Sequence, residues 1–207
     1  MRLLRPLLTI AFALLGTAAA LGDDANEIRI GQTLPYSGPA SGFGAIGRAI
    51  AKRAEAFGMS VCYHGPRRKE DIAYPYYPDL ESLARESDCL VVACTATPGT
   101  RNLVNARILD ALGPDGFLVN IARGSIVDEQ ALIAALRAKR IAGASLEVFW
   151  DEPRVPAELA AMEQVVLAPH IGSTTREIRE ERGSKLLANL RAHFSGQPVL
   201  NPIGNAG

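Results

Sequence analysis

Short apolar runs rich in β-branched residues alternate along this chain with longer runs whose apolar positions recur every three or four residues. The short runs predict β-strands and the longer runs predict helices. Strands are expected near residues 59–64, 89–94, 116–121, 143–149 and 165–168, and a long helix is expected over about 174–194. Since continuous apolar strands suit burial on both faces, this order predicts a doubly wound parallel sheet of the α/β class, with right-handed crossovers.

A glycine-rich stretch precedes the first of these strands. Gly42, Gly44 and Gly47 have the spacing G-x-G-x-x-G, and the amphipathic run that follows stops at Gly58, where a glycine commonly ends a helix. The spacing is typical of dinucleotide-binding turns, but it has that meaning only between a strand and a helix. By itself it is compatible with a dinucleotide cradle and with an ordinary glycine-rich turn.

The segment directly before these glycines does not resemble the strand that such a cradle requires. Pro35 and Pro39 lie where a central strand donates hydrogen bonds to its neighbours, and proline has no N–H to donate. A sixth strand is therefore expected further upstream, within Ile28 to Leu34, with a long loop over 32–41 before the glycines.

Residues 1–22 predict a secretory signal peptide. Arg2 and Arg5 precede an apolar run from Leu7 to Leu15, and small residues suited to cleavage follow that run. The apolar run is too short to span a bilayer, and no other stretch of the sequence suggests a membrane span. A buried N-terminal helix is the alternative interpretation of the same residues.

Charge and composition narrow the class of partner. The 207 residues carry 22 basic and 22 acidic side chains, and 48% of the residues are hydrophobic. A neutral chain of this length can form one substantial core and gives no reason to expect nucleic acid as a partner. We expect a small-molecule partner and no metal site.

The three cysteines predict a reducing environment. Cys62, Cys89 and Cys94 lie in or beside apolar strand-like runs, which is typical of buried free thiols. Cys89 and Cys94 are about 16 Å apart if their run is extended, so they cannot bridge each other there. The body of the chain therefore looks cytoplasmic, whereas its leader predicts export to the periplasm, and the sequence leaves this conflict open.

Three chemically active side chains follow strands of the predicted sheet. Ligands bind such a sheet at the carboxyl ends of its strands, and Arg123, Glu152 and His170 each follow one of these ends. Reduction of a carbonyl group needs a proton donor, a group that keeps the donor charged, and a cation that holds an anionic substrate. The three residues match these needs. Each alone is equally compatible with an ordinary loop histidine, a turn acid or a surface arginine.

Several ordered motifs resemble those of one family. They are "GFGAIGRAIA", "LVNIARGSIVDEQALIAAL", "AGASLEVFWDEP" and "VVLAPHIGS". Together they resemble the NAD(P)-binding domain of the D-isomer-specific 2-hydroxyacid dehydrogenases, and "HGPRRK" looks most like the glyoxylate/hydroxypyruvate reductase branch. The likeness runs from Gly42 to about Ile203. It implies a Rossmann-like domain over 42–173, followed by a C-terminal helix and tail over 174–203.

The resemblance also implies roles for single residues. Arg123 would bind the carboxyl and carbonyl groups of the substrate, His170 would donate the proton, and Glu152 would be the partner of His170. The glycines would form a true pyrophosphate cradle at the start of the next helix. The cofactor contacts implied in this way are Gly42, Gly44, Ala45, Ile46, Gly47, Gly65, Thr95, Ile121 and Glu147.

The sequence departs from the family pattern in three places. The substrate domain that the family carries ahead of its cofactor domain is largely missing here. The strand expected just before Gly42 is replaced by "EIRIGQTLPYSGPAS", which resembles the start of mature periplasmic amino-acid-binding proteins of ABC transporters. Residues 23–41 are therefore interpreted as a foreign segment, and the chain as a fusion. Glu147 stands where the family's aspartate contacts the nicotinamide carboxamide, and its side chain is one methylene longer.

The residues after strand 59–64 indicate which cofactor is bound. An acid at this position accepts a hydrogen bond from the ribose 2′-hydroxyl of NAD, whereas arginine suits the 2′-phosphate of NADP. No carboxylate occurs there before Glu70, and Arg67 and Arg68 follow the turn at once, about twenty residues after the glycines. NADP is therefore expected rather than NAD. A solvated basic loop is the alternative interpretation.

These observations predict an NADP-dependent reductase of a small 2-oxo acid. One alternative is a catalytically inactive NADP-binding fragment fused to an export leader, and another is an exported solute-binding protein. Because a substrate domain supplies positioning and excludes water, the chain by itself is expected to turn over 2-oxo acids weakly or undetectably. A homodimer is among the assemblies that the sequence leaves open.

Overall fold

One parallel sheet organises the chain, whose computed structural model describes residues 28–33 and 42–202. Seven strands are hydrogen-bonded in the order β3-β2-β1-β4-β5-β6-β7, and every neighbouring pair is parallel. The strands are β1 (Arg29–Thr33), β2 (Ser60–His64), β3 (Tyr76–Tyr77), β4 (Cys89–Val92), β5 (Phe117–Asn120), β6 (Gly143–Leu146) and β7 (Val165–Leu167). This is the doubly wound α/β sheet that the hydrophobic pattern predicts.

Six α-helices lie within the described residues. They are α1 (Gly42–Ala56), α2 (Leu80–Arg85), α3 (Ala106–Leu112), α4 (Glu129–Arg137), α5 (Ala157–Ala160) and α6 (Arg176–Phe194). Short polar side chains begin several of them: Asp79, Asn105 and Asp128 each accept a backbone N–H from the first turn of the helix that follows. At the other end of α1, Gly58 has a positive φ of 73°, as expected for a glycine after a helix.

The predicted sixth strand exists and lies inside the sheet. β1 pairs with β2 on one side and with β4 on the other, so that Ile30 faces Val61 and Cys89. Pro35 and Pro39 fall outside the described residues. The predicted signal peptide over 1–22 and most of the foreign segment over 23–41 also fall outside them, so these two interpretations stay predictions.

The sequence missed two short elements and extended two strands too far. β3 and α5 were not predicted, because elements of two and four residues are too short to show a hydrophobic period. β4 ends at Val92 rather than at residue 94, and β6 ends at Leu146 rather than at residue 149. In both cases the apolar run continues past the strand, because the loop at the carboxyl edge of the sheet is itself buried.

Apolar residues fill both faces of the sheet, and the cysteines belong to this core. Cys62, Cys89 and Cys94 are buried free thiols, as predicted. Burial raises the pKa of Cys62, and it raises the pKa of Cys89 to about 12. Within residues 28–33 and 42–202, no helix combines the length and apolar character that a membrane span requires.

Candidate active site

The loop after β5 carries Arg123 and is shaped by a buried asparagine. Asn120 is only 1% exposed, and its side chain accepts a hydrogen bond from the N–H of Ala122 at 3.0 Å and donates one to the carbonyl of Arg123 at 3.1 Å. The Arg123 side chain is exposed, and its Nη1 donates to the carbonyl of Ala122 at 2.6 Å. Asn120 therefore stabilises the turn at the end of β5 and positions the backbone from which the Arg123 side chain extends.

Gly124 brings this loop into direct contact with the loop that follows β6. A Cβ atom at Gly124 would lie 2.1 Å from both the carbonyl carbon and the oxygen of Phe149, and 2.5 Å from the backbone nitrogen of Trp150. These are backbone atoms, which cannot rotate away as a side chain can. Only glycine fits at this position, and its absence of a side chain lets the segment that carries Glu152 pack against the segment that carries Arg123.

Glu152 and His170 form a hydrogen-bonded pair. The Nδ1 atom of His170 lies 2.7 Å from Oε2 of Glu152, and Oε1 of Glu152 accepts the backbone N–H of Phe149 at 3.1 Å. The hydrogen bond to His170, the N–H of Phe149 and the positive charge of Arg123 together hold the pKa of Glu152 below its ordinary value of 4.5. The predicted contact between the carboxylate and the imidazole is confirmed. The other ring nitrogen, Nε2, is left as the one that can face a ligand.

The backbone of His170 is in the left-handed region, and Glu147 supports it. His170 has a φ of 52°, a conformation that costs free energy in residues other than glycine and that concentrates at functional sites. Its N–H donates to the carbonyl of Glu147 at 3.1 Å, and the Glu147 carboxylate accepts the N–H of Gly172 at 2.6 Å. Glu147, in the loop after β6, therefore binds the backbone of the His170 loop at His170 itself and two residues later.

Trp150 is a second connection between the loops. Its indole Nε1 donates to the carbonyl of Val127 at 2.7 Å, which joins the Glu152 loop to the end of the Arg123 loop. The guanidinium carbon of Arg101 lies 4.6 Å from the centre of the indole ring, in a cation–π contact. Three loops of the carboxyl edge are thus fixed to one another through a single side chain.

The residues predicted to contact the nucleotide lie mostly on α1 and just past β4 and β5. α1 begins at Gly42, so Gly44 and Gly47 lie within its first two turns, and Gly47 is buried. Ala45 and Ile46 are exposed beside it. Past β4, the hydroxyl of Thr95 is buried and, within the described part of the chain, stands without a hydrogen-bond partner. A buried hydroxyl without a partner is costly, so it marks a position where a ligand can supply the missing contact.

Past β5, Ile121 is half-buried, and its N–H donates to the carbonyl of Val92 at 3.2 Å. This bond places the start of the Arg123 loop beside the end of β4. Past β2, Gly65 is buried, whereas Arg67 and Arg68 are exposed. The predicted cofactor contacts therefore all lie at the carboxyl edge or on the helix that starts there.

Sequence reasoning missed several residues that build this edge. Asn120 and Trp150 were overlooked because each acts through a contact with a backbone carbonyl that the sequence does not display. For Asn120 there was a usable signal, since a polar residue at the end of an otherwise apolar strand has to find buried partners. Tyr63 and Tyr76 were overlooked because their hydroxyl groups contact backbone atoms of Lys69 and Gly65.

Two curated relatives are similar to this chain in sequence. Glyoxylate/hydroxypyruvate reductase A of Arabidopsis thaliana is 52% identical over 162 residues, which are 78% of this chain and 52% of the relative. The 2-ketogluconate reductase of Gluconobacter oxydans is 44% identical over 163 residues, which are 79% of this chain and 53% of the relative. The chain spans about half the length of the curated relatives it matches.

A solved structure and a family model also match this chain. The NADPH-dependent glyoxylate/hydroxypyruvate reductase of Sinorhizobium meliloti, in complex with NADP and malonate, superimposes with a TM-score of 0.79 at 36% identity. The superposition covers 96% of this chain and 62% of that chain. Residues 40–172 match the model of the D-isomer specific 2-hydroxyacid dehydrogenase, NAD binding domain. The chain therefore belongs to the family of D-isomer specific 2-hydroxyacid dehydrogenases.

Proposed function

We propose that this chain binds NADPH and reduces a small 2-oxo acid of the glyoxylate or hydroxypyruvate type. The observation that carries the proposal is the 2.7 Å contact between His170 and Glu152, in a site whose third member, Arg123, is near enough to lower the pKa of the carboxylate. The relatives named above are reductases of 2-oxo acids, and the Sinorhizobium enzyme is described as NADPH-dependent.

The three side chains have complementary parts in the reaction. When bound, NADPH supplies the hydride that reduces the carbonyl carbon. Arg123 holds the substrate carboxylate, for which its planar guanidinium group is suited. His170 in its protonated form donates a proton from Nε2 to the carbonyl oxygen as negative charge develops there. Glu152 accepts the hydrogen bond from Nδ1, so it holds the orientation of the ring that donates.

The cofactor site is proposed from the residues at the same edge. The N-terminus of α1, with Gly42, Gly44 and Gly47, would receive the pyrophosphate, because free N–H groups and the helix dipole favour an anion there. The remaining proposed contacts are Ala45, Ile46, Gly65, Thr95, Ile121 and Glu147. The Thr95 hydroxyl supports the proposal, since a bound cofactor would satisfy it.

Arg67 and Arg68 would select NADP over NAD by contacting the 2′-phosphate. Both are exposed just past β2, where this phosphate lies in Rossmann-like folds. A charge-assisted hydrogen bond contributes roughly 1.5–3 kcal/mol, so loss of one arginine should weaken NADPH binding about ten- to a hundredfold.

Turnover by this chain alone is proposed to be weak. The chain matches about half of each relative, and residues 42–173 are proposed to be the cofactor domain, with 174–203 as its C-terminal helix and tail. An enzyme gains much of its rate from positioning the substrate and from excluding water, and a single domain does both poorly. The same coverage favours a second candidate function, an NADP-binding unit without turnover.

Calorimetry and an absorbance assay test the proposal. The wild-type chain should bind NADPH more tightly than NADH, and Arg67→Ala or Arg68→Ala should lose affinity for NADPH only. Arg85→Ala is the matched control, because this exposed arginine lies in the last turn of α2, at the opposite edge of the sheet. Equal affinity for the two cofactors, or an equal loss for both, would overturn the NADP assignment.

The chemical step needs a separate measurement. Any oxidation of NADPH with glyoxylate or hydroxypyruvate should disappear in His170→Asn, because asparagine tolerates the positive φ but cannot donate a proton as imidazolium does. Residual turnover that is unchanged in His170→Asn would remove His170 as the donor. Turnover at the rate of a full-length reductase would contradict the proposed weakness of the single chain.

A further inference from the structure

The basic loop after β2 is fastened at both ends by tyrosine hydroxyls. The Oη atom of Tyr76 donates to the carbonyl of Gly65 at 2.9 Å. The Oη atom of Tyr63 accepts the backbone N–H of Lys69 at 2.8 Å and lies 3.4 Å from the carbonyl of the same residue. The segment between these two anchors contains the two exposed arginines.

The tyrosines themselves are rigid. Tyr63 is only 1% exposed, its ring centre lies 5.2 Å from that of Tyr76, and both rings pack with Ile72. Tyr76 is placed by β3, which pairs with β2 so that Tyr76 is the direct neighbour of Tyr63. β3 has only two residues and lies at the edge of the sheet. Its pairing with β2 positions the ring of Tyr76 beside that of Tyr63.

An ion pair ties the far side of the loop to α1. Arg48 directly follows Gly47, and its Nη2 atom lies 2.5 Å from Oδ2 of Asp71, while Nη1 donates to the Asp71 carbonyl at 3.4 Å. Arg48 holds the pKa of Asp71 below its usual range. The loop is therefore fixed relative to the glycine-rich start of α1 as well as to the sheet.

From this geometry we propose that Tyr63 and Tyr76 are positioning residues for cofactor selection: they hold the loop 65–69 so that Arg67 and Arg68 meet the 2′-phosphate. The proposal rests on the proposed NADP function, which it deepens. A loop ordered in advance loses less conformational entropy when it binds, so the two hydroxyls should raise affinity without contacting the ligand.

The expected effect of one hydroxyl follows from the value of one hydrogen bond. Tyr76→Phe removes Oη and keeps the ring that packs on Tyr63. Loss of this bond should lower the affinity for a 2′-phosphate about two- to tenfold, which corresponds to about 0.4–1.4 kcal/mol. The affinity for a nucleotide without the 2′-phosphate should not change, because Arg67 and Arg68 do not contact it.

The experiment compares adenosine 2′,5′-bisphosphate with adenosine 5′-monophosphate by calorimetry on the 207-residue chain. Both probes occupy the adenosine half of the cofactor site, so neither requires turnover. Tyr76→Phe should weaken the bisphosphate only. Tyr77→Phe is the matched control, since successive residues of a strand point to opposite faces and the Tyr77 side chain packs against the main core. Tyr63→Phe provides a second variant with the same expectation.

A double-mutant cycle separates positioning from general support of the fold. In the Arg67→Ala, Arg68→Ala background, Tyr76→Phe should have no further effect on bisphosphate binding. An undiminished effect in that background, or an equal loss for both probes, would overturn the positioning role. If wild type prefers the bisphosphate and Tyr76→Phe behaves as wild type, the inference fails while the NADP function stands. If wild type shows no preference, the NADP function itself fails.

Discussion

Gly124→Ala is expected to separate the two loops that carry Arg123 and Glu152. The new Cβ would lie 2.1 Å from backbone atoms of Phe149, whereas ordinary contacts of this kind begin near 3.4 Å. Real contacts of this kind are essentially never shorter than 3.0 Å, so the loops must move apart by at least about 0.9 Å. If the loops separate along the 2.7 Å hydrogen bond from Trp150 to Val127, this movement takes the two atoms beyond hydrogen-bonding distance, and we expect the bond to be lost.

The cost combines this lost hydrogen bond with the strain of the displaced backbone. A hydrogen bond contributes about 1 kcal/mol, and forcing extra volume into a packed region costs about 1–3 kcal/mol. We therefore expect Gly124→Ala to lower the free energy of unfolding by about 3 kcal/mol. Gly183→Ala is the control: this glycine lies in the middle of α6 with nothing within 4 Å of the added atom, so alanine should raise the free energy of unfolding by about 0.5–1 kcal/mol.

Urea unfolding followed by two probes measures both effects. Trp150 is the only tryptophan of the chain, so its fluorescence reports on this site, while far-ultraviolet circular dichroism reports on the whole fold. Gly124→Ala should alter the native fluorescence before unfolding begins, because the indole loses its partner. An unfolding free energy within 1 kcal/mol of wild type, or native fluorescence identical to wild type, would refute the argument that the loops are in enforced contact.

Two other measurements follow from the charges and thiols. The carboxyl carbon resonance of Glu152 should titrate below pH 4.5, and its pKa should move up toward that value in His170→Asn. Because the folded pKa is lower than the ordinary one, the pair stabilises the fold above the ordinary pKa, and this contribution is lost as the pH falls through the folded pKa. For so exposed a pair the contribution should be less than about 1 kcal/mol. A disulfide reagent that labels thiols should not react with the native protein at neutral pH, whereas it should label all three cysteines of the urea-unfolded protein. Rapid labelling of native Cys89 would contradict its burial and its pKa of about 12.

The strands of the core could be predicted because burial alone defines them. β4 and β5 are apolar runs between turn residues, which is the pattern typical of a buried strand. β1 was harder, since the strand that the glycines require lies on the far side of Pro35 and Pro39. The sequence placed it within Ile28 to Leu34, and the pairing with two neighbouring strands confirms this placement.

The sequence could predict that the three candidate residues lie at one edge of the sheet, but it could not predict the contacts that hold them there. The order of strand ends brings Arg123, Glu152 and His170 to one edge, and that order can be derived from topology. The contacts that fix them depend on distances between loops far apart in sequence. Trp150 lies 23 positions from Val127, and no local period connects an indole to that carbonyl.

The proposed nucleotide site and the Glu152–His170 pair differ in how much they depend on parts of a protein outside this chain. The proposed nucleotide contacts belong to α1, the loop after β2 and the ends of β4 and β5. Two tyrosine hydroxyls hold the loop after β2, and an ion pair joins the residues just beyond it to α1. The Glu152–His170 pair is also complete here, but its side chains are 35% and 38% exposed, and such a pair is screened by water. Nucleotide selection should therefore persist in this chain even if turnover is lost. For that reason the binding measurements, rather than activity, are the more direct test of what these residues do.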